Sequence, residues 1–180
     1  MAVEVVPWDA RWGVEFERVA AELSRALGDL PHAVEHVGST SVPGLAAKPV
    51  LDIDVIVAAT DVPAAIAALK RVGYRHRGDL GVVHREAFHA PDDGVRRHVY
   101  LCVAGTLHVR NHLAVREVLR RRPDLRQAYA DVKLALAADP AMDIDSYVAG
   151  KSAVLQRVLA EADLTEAERT AILRLNDPTA

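Results

Sequence analysis

Two aspartates one residue apart, set in an apolar strand and preceded by a glycine–serine turn, constrain this chain more than any other feature. Residues Val34 to Val57 read Val-Glu-His-Val-Gly-Ser-Thr-Ser-Val-Pro-Gly-Leu-Ala-Ala-Lys-Pro-Val-Leu-Asp-Ile-Asp-Val-Ile-Val. The pattern is a strand, a Gly/Ser turn, a short spacer and a second strand. Side chains alternate faces along a strand, so Asp52 and Asp54 point the same way, roughly 6.5–7 Å apart at ~3.3 Å rise per residue. Leu51, Ile53 and Val55 point the other way, into a core. Two like charges on one face of an apolar strand are costly when that face is buried and nothing compensates. A divalent metal compensates, and carboxylate oxygens suit magnesium or manganese.

The 180 residues are most simply one domain, with a sheet-containing core over about 1–105 and a helical part over about 106–175. Apolar residues make up 51% and charged residues 26%, the profile of a soluble globular protein. The net charge of −3 supplies no global basic field for nucleic acid or an anionic membrane. Cys102 is the lone cysteine, which excludes an internal disulfide framework and fits a reducing compartment. The N-terminus lacks a basic region followed by an apolar run, so a secretory signal is not expected. No apolar run approaches the ~20 residues of a membrane helix. A cytoplasmic location is the expectation. Eighteen arginines stand against four lysines, an excess read as coding bias and given no functional weight.

Along the chain, Val3–Val6 suggests a short strand or extended lead-in, and Asp9 an N-cap. Trp12, Phe16, Val19, Ala20, Leu23 and Leu27 recur at helical spacing up to Gly28. Strands are expected at His32–Val37 and Val50–Val57, then a helix from Asp61-Val62-Pro63 to about Val72. Tyr74–Arg77 suggests a short strand, Asp79–Gly81 a turn, Val82–His89 a strand, Pro91–Gly94 a turn and Arg97–Val103 an alternating strand. Helices follow at Thr106–Arg122, Pro123–Ala138 and Ile144–Ala162. Thr165 to Glu168 resembles a capping box opening a last helix to about Leu175, before a frayed Asn176–Ala180 tail.

A glycine after a strand lets backbone N–H groups approach an anion closely, and serine adds a hydroxyl donor. Gly38, Ser39, Thr40 and Ser41 are therefore candidates for binding phosphate, with Asp52 and Asp54 holding a divalent ion that bridges a nucleoside triphosphate. The plainer alternative is a turn followed by two surface aspartates on an edge strand. A Walker loop is excluded: Gly38 and Gly44 are separated by five residues, and Leu45 rather than lysine follows Gly44.

The Val34–Val57 run resembles the GrpB family. So do the Arg97-His98-Val99-Tyr100-Leu101 strand, the His112-Leu113-Ala114-Val115-Arg116-Glu117-Val118-Leu119 helix, and the Tyr129–Lys133 and Tyr147–Lys151 segments. The likeness extends over roughly Val5–Ala162. It implies membership of the nucleotidyltransferase superfamily, the fold of polymerase-beta-like and aminoglycoside-modifying enzymes. The implied fold is α/β (α+β), a mixed sheet flanked by helices with a helical C-terminal half. The implied ligands are an NTP and magnesium or manganese, and some family members are fused to dephospho-coenzyme A kinase. The superfamily pattern expects a third acid on a later strand, and Arg97–Val103 contains none. Family members usually carry two histidines there; this chain has His98 and Tyr100. His98 is a candidate third metal ligand or base, with a hydrogen-bonded, partly buried histidine as the alternative.

Lys48, Arg85 and Arg97 are candidate phosphate contacts, arginine being suited to bidentate binding; solvated arginines are the alternative. His36, Tyr100, His112, Arg116 and Lys151 are candidate cleft-lining residues. His108 and His112 stand at i, i+4, a spacing zinc can use, but the intervening glutamate of a metalloprotease is missing and zinc is disfavoured. Tyr129/Lys133 and Tyr147/Lys151 read as amphipathic faces with snorkelling lysines, although Lys151 could reach a phosphate. Cys102 reads as core. The expected function is metal-dependent transfer of an NMP from an NTP to an unidentified small-molecule or protein acceptor. The alternative is an inactive nucleotide- or phospholigand-binding module. No nucleic-acid or membrane partner is indicated, and the oligomeric state is open.

Overall fold

A computed structural model describes residues 3–176, and the expected frayed tail beyond Asn176 lies outside them. The elements are α1 (Arg11–Leu27), β1 (His32–Val37), β2 (Leu51–Val57), α2 (Val62–Arg71), β3 (Arg75–His76), β4 (Arg85–His89), β5 (Arg97–Val103), α3 (Leu107–Arg121), α4 (Pro123–Ala137), α5 (Ile144–Gly150), α6 (Ser152–Leu159) and α7 (Glu166–Asn176). The strands form one mixed sheet in the order β1-β2-β5-β4-β3, with β2 and β5 parallel at its centre and the other pairs antiparallel. This is the expected α/β architecture with a helical C-terminal half.

Alternation divides the sheet into two unlike faces. Leu51, Ile53, Val55 and Val57 of β2 join Val99 and Leu101 of β5 in a core closed by Val19, Leu23 and Leu27 of α1 and Ala65 and Leu69 of α2. Fully burying each of the valine, leucine and isoleucine side chains contributes about 1.5–3 kcal/mol. The opposite face carries Asp52 and Asp54 and is covered by the C-terminal helices, whose own core includes Val118, Leu119, Leu125, Tyr129, Val154 and Val158. The sheet thus gives its apolar face to the first half of the chain and its charged face to the second.

Several boundaries follow the sequence closely. The start of α1 falls one residue from expectation: Ala10 is the N-cap, while the Asp9 carboxylate accepts the Arg11 backbone N–H at 2.9 Å. Thr165 and Glu168 exchange backbone contacts in a capping box ahead of α7. Others differ. Val3–Val6 contributes only a bridge between Val6 and Ala47. The expected strand from Val82 begins at Arg85, because Leu80 (φ 50°) and His84 (φ 66°) take left-handed backbone conformations that cannot extend a strand. The Tyr74–Arg77 strand shrinks to Arg75–His76. The long helix expected over Ile144–Ala162 breaks into α5 and α6 at Gly150–Lys151, where Gly150 packs so closely on Leu136 that a Cβ would come within 2.8 Å of it.

Candidate functional site

Parallel pairing of β2 and β5 sets Asp52 beside His98 and Asp54 beside Tyr100. His98 Nδ1 and Asp52 Oδ1 are 2.9 Å apart, with the two side chains 55% and 33% exposed. Gly38 closes tightly on this carboxylate. It has φ 69°, which favours glycine, and a Cβ there would overlap Asp52 Oδ2. The following turn is braced from three sides. Ser41 Oγ donates to the Gly38 carbonyl at 2.6 Å, and Thr40 Oγ1 lies 3.0 Å from His36 Nε2. Thr40 Oγ1 also donates to the Val50 carbonyl at 3.4 Å.

Asp52 and His98 open into a cavity of about 400 Å³, lined also by Ser39, Thr40, Lys48, Lys133, Tyr147 and Lys151. Three lysines from different segments converge there. Lys133 is almost fully buried, its ammonium donating to the Ala46 carbonyl, and burial with the charge of Lys151 pushes its pKa down to about 7. Burial and then the charge of Lys48 lower Lys151 to about 8, against the opposing pull of Asp52. The Lys48 and Lys151 ammoniums stand 6.0 and 4.5 Å from the Tyr147 ring. So much crowded positive charge, faced by one carboxylate, suits a polyanion.

Asp54 lies in a different environment. It is fully buried, and its Oδ2 lies 2.8 Å from His112 Nδ1 on α3. Burial opposes charge on His112, but the hydrogen bond and charge of Asp54 outweigh it and raise the pKa. The neighbouring His108 ring, 4.1 Å from that of His112, is pushed down to about 4, first by burial and then by His112. Arg85 stacks over Tyr100 with its guanidinium carbon 4.6 Å from the ring centroid. Burial, then the Asp54 charge, pushes the Cys102 thiol far up, so this buried cysteine is an inert core residue.

Several expected site residues stand elsewhere. Arg97 pairs with Leu51 on the face away from Asp52, and its guanidinium is fully buried, bonded by Asp92 and Tyr74. It is therefore a structural cation rather than a phosphate contact. His36 faces the same way as Ile53, stacks on Phe16 at 4.7 Å between centroids and lines a separate groove, so it does not line the cleft. Arg116 binds Glu35 and the His36 carbonyl in that groove. Ser41 turns its hydroxyl inward. Arg85, Tyr100 and His112 gather on the Asp54 side, away from the lysines. Gly38, Ser39, Thr40, Lys48, Asp52, His98 and Lys151 do come together. Lys133 and Tyr147 had only a packing role in the sequence reading, and His108 only a disfavoured zinc role. The i, i+4 pairing of each Tyr with its Lys was the available signal.

This arrangement of sheet and helices is a nucleotidyltransferase-like fold. The chain aligns with a structure of the GLD-2/RNP-8 complex at a TM-score of 0.59 and 14% identity, covering 96% of this chain and 69% of that one, a likeness of fold alone. The crystal structure of conserved protein GrpB from Enterococcus faecalis aligns at a TM-score of 0.76 and 31% identity, covering 88% of this chain and 98% of that one. The family model for GrpB protein matches residues 2–161, and the chain belongs to the GrpB family. A UPF0157 protein of Halalkalibacterium halodurans is 35% identical over 91% of this chain and 84% of its own length. A dephospho-CoA kinase of Mycolicibacterium paratuberculosis is 31% identical over 83% of this chain, which spans 43% of that longer protein. Among the described residues no helix is long and apolar enough to cross a membrane.

Proposed function

We propose that the chain binds a nucleoside triphosphate with a divalent ion and transfers its nucleotidyl group to an acceptor hydroxyl or other nucleophile. One observation carries this reading: Ser39, Lys48, Lys133, Lys151 and Asp52 converge on a single cavity of about 400 Å³. Lys133 and Lys151, held at lowered pKa first by burial and then by the charge of Lys151 on the one and of Lys48 on the other, regain full charge when phosphate enters the cavity. Ser39 and the turn after Gly38 donate to phosphate oxygens. The part-exposed Asp52 carboxylate at the mouth of the cavity fits a divalent ion. Such an ion, when bound, supplies charge neutralisation on the phosphates and the departing pyrophosphate.

His98 is oriented through Nδ1 by Asp52, which leaves Nε2 free to take the acceptor proton as its oxygen bonds the α-phosphorus. The bond between the α- and β-phosphates breaks, and pyrophosphate leaves against the lysines. Positioning and charge account for the rate, since the protein makes no covalent bond itself. A second reading, a nucleotide-binding module without turnover, is favoured by one observation. Tyr100 stands beside Asp54, and β5 carries no acid.

The test is pyrophosphate release from ATP, CTP, GTP and UTP with magnesium or manganese, across a pool of hydroxyl-bearing metabolites. Release that is lost in Asp52→Asn with the fold intact supports transfer. Metal-dependent binding without release with any acceptor supports the second reading.

A further inference from the structure

We propose that Asp54, His108 and His112 form a site for a divalent transition-metal ion of the zinc class, separate from the phosphate-facing side of Asp52. One ligand atom from each residue lies within 4.8 Å of the others. The two histidines come from successive turns of α3 and the aspartate from the strand beneath it. Asp54 Oδ1 and His108 Nε2 are buried and have no hydrogen-bond partner among the described residues. Leaving a buried polar group unmet is costly, so two in one cluster point to a ligand that the protein atoms do not supply. A borderline-soft cation satisfies imidazole and carboxylate together, whereas magnesium prefers oxygen alone.

Two histidines and a carboxylate leave the fourth position of a tetrahedral ion open. Both histidines also line a cavity of about 120 Å³, whose wall includes Arg85 and Asn111. Arg85 Nε and Asn111 Oδ1 are likewise buried without partners. This volume admits water; a water there would accept from Arg85, donate to Asn111 and fill the fourth position. The positive charge of Arg85 is the feature that opposes a cation. Its stacking on Tyr100 and the two carboxylates on the same face of β2 oppose that repulsion. The site needs no nucleotide.

The test is cobalt and zinc uptake by the chelator-treated full chain, without nucleotide. The wild-type chain should take up one Co²⁺ with the absorption bands of a low-coordinate site, release it to Zn²⁺ and keep it in excess Mg²⁺. His108→Ala removes a ring bonded to no other described residue. It should keep the circular-dichroism spectrum and nucleotide binding while losing at least ~10-fold in Co²⁺ affinity. No uptake by the wild-type chain, or equal affinity in His108→Ala, would overturn the site. Should His108→Ala not fold, hydrogen exchange of the wild-type chain decides: Zn²⁺ must slow exchange along α3, and unchanged exchange overturns the proposal. Because uptake is read without nucleotide, failure of nucleotide binding leaves this result standing, and the reverse also holds.

Discussion

Asp52 and Asp54 share a strand, a face and a charge, yet the molecule treats them as opposites. Asp52 is part exposed, held by an exposed histidine and set beneath three lysines at the mouth of an open cavity. Asp54 is sealed beneath α3 and bonded to a half-buried histidine. A paired motif read from sequence suggests two equivalent metal ligands; the packing of α3 makes one a cavity-facing group and the other part of the interior. Burial, rather than residue type, separates the two roles, because a carboxylate without water depends on its neighbours for every interaction.

Substitution at the two positions should break along that line. The largest effect on stability is expected from Asp54→Ala, which strands His112 in the interior. Removing one partner of a buried pair costs about 3–5 kcal/mol, and at ~2–4 °C per kcal/mol for a chain of this size the melting temperature should fall by about 6–20 °C. A fall within about 2 °C would show that the pair is not a stabilising contact.

Gly38→Ala comes next. The residue would have to hold φ 69° and clear Asp52 Oδ2, so the turn must shift. A loss of about 1–3 kcal/mol is expected from the strained conformation. Nucleotide binding should weaken with it, and calorimetry that finds wild-type affinity would remove the turn from the site.

The third effect is a pH dependence. Lys133 titrates near 7 in the folded chain against its ordinary 10.5, so the unfolded chain binds the extra proton between those values. Stability without ligand should therefore rise with pH from about 7 to about 10.5, and be diminished below that window. Lys151 adds the same sign above about 8. Thermal melts across pH 7.5 to 9.5 should show a shallower rise in Lys133→Met; an equal slope in both proteins would contradict the buried, uncharged lysine.

The smallest effect on stability belongs to Asp52→Ala, expected within ~1 kcal/mol because its histidine partner is exposed. The same variant should lose metal-dependent nucleotide binding. Lost stability with retained binding would invert the comparison.

Much of this division was beyond reach of the sequence, for identifiable reasons. Alternation alone placed Asp52 and Asp54 on one face, and the Gly-Ser turn, the capping box at Thr165 and the boundaries of α3 and α4 followed from local chemistry. The same alternation could have removed Arg97 from the phosphate set, since it shares the parity of Val99 and Leu101 in the core. The burial of Asp54 could not be read locally, because it depends on His112, 58 residues away. Lys133 departs from the expected snorkelling lysine for the same cause. A lysine one turn from a tyrosine snorkels on an isolated helix, but here α4 docks on the segment around Ala46 and encloses it. Long-range docking decided each of these cases, and sequence spacing carries no record of it.

The central claim is that the lysine-lined side of the sheet holds a triphosphate together with a divalent ion on Asp52. Calorimetric titration of the wild-type chain with ATP, CTP, GTP and UTP, each with and without manganese, tests it most directly. The account predicts saturable binding of at least one nucleotide that strengthens with the metal and is lost in Asp52→Ala. Absence of metal-dependent binding to all four would contradict it.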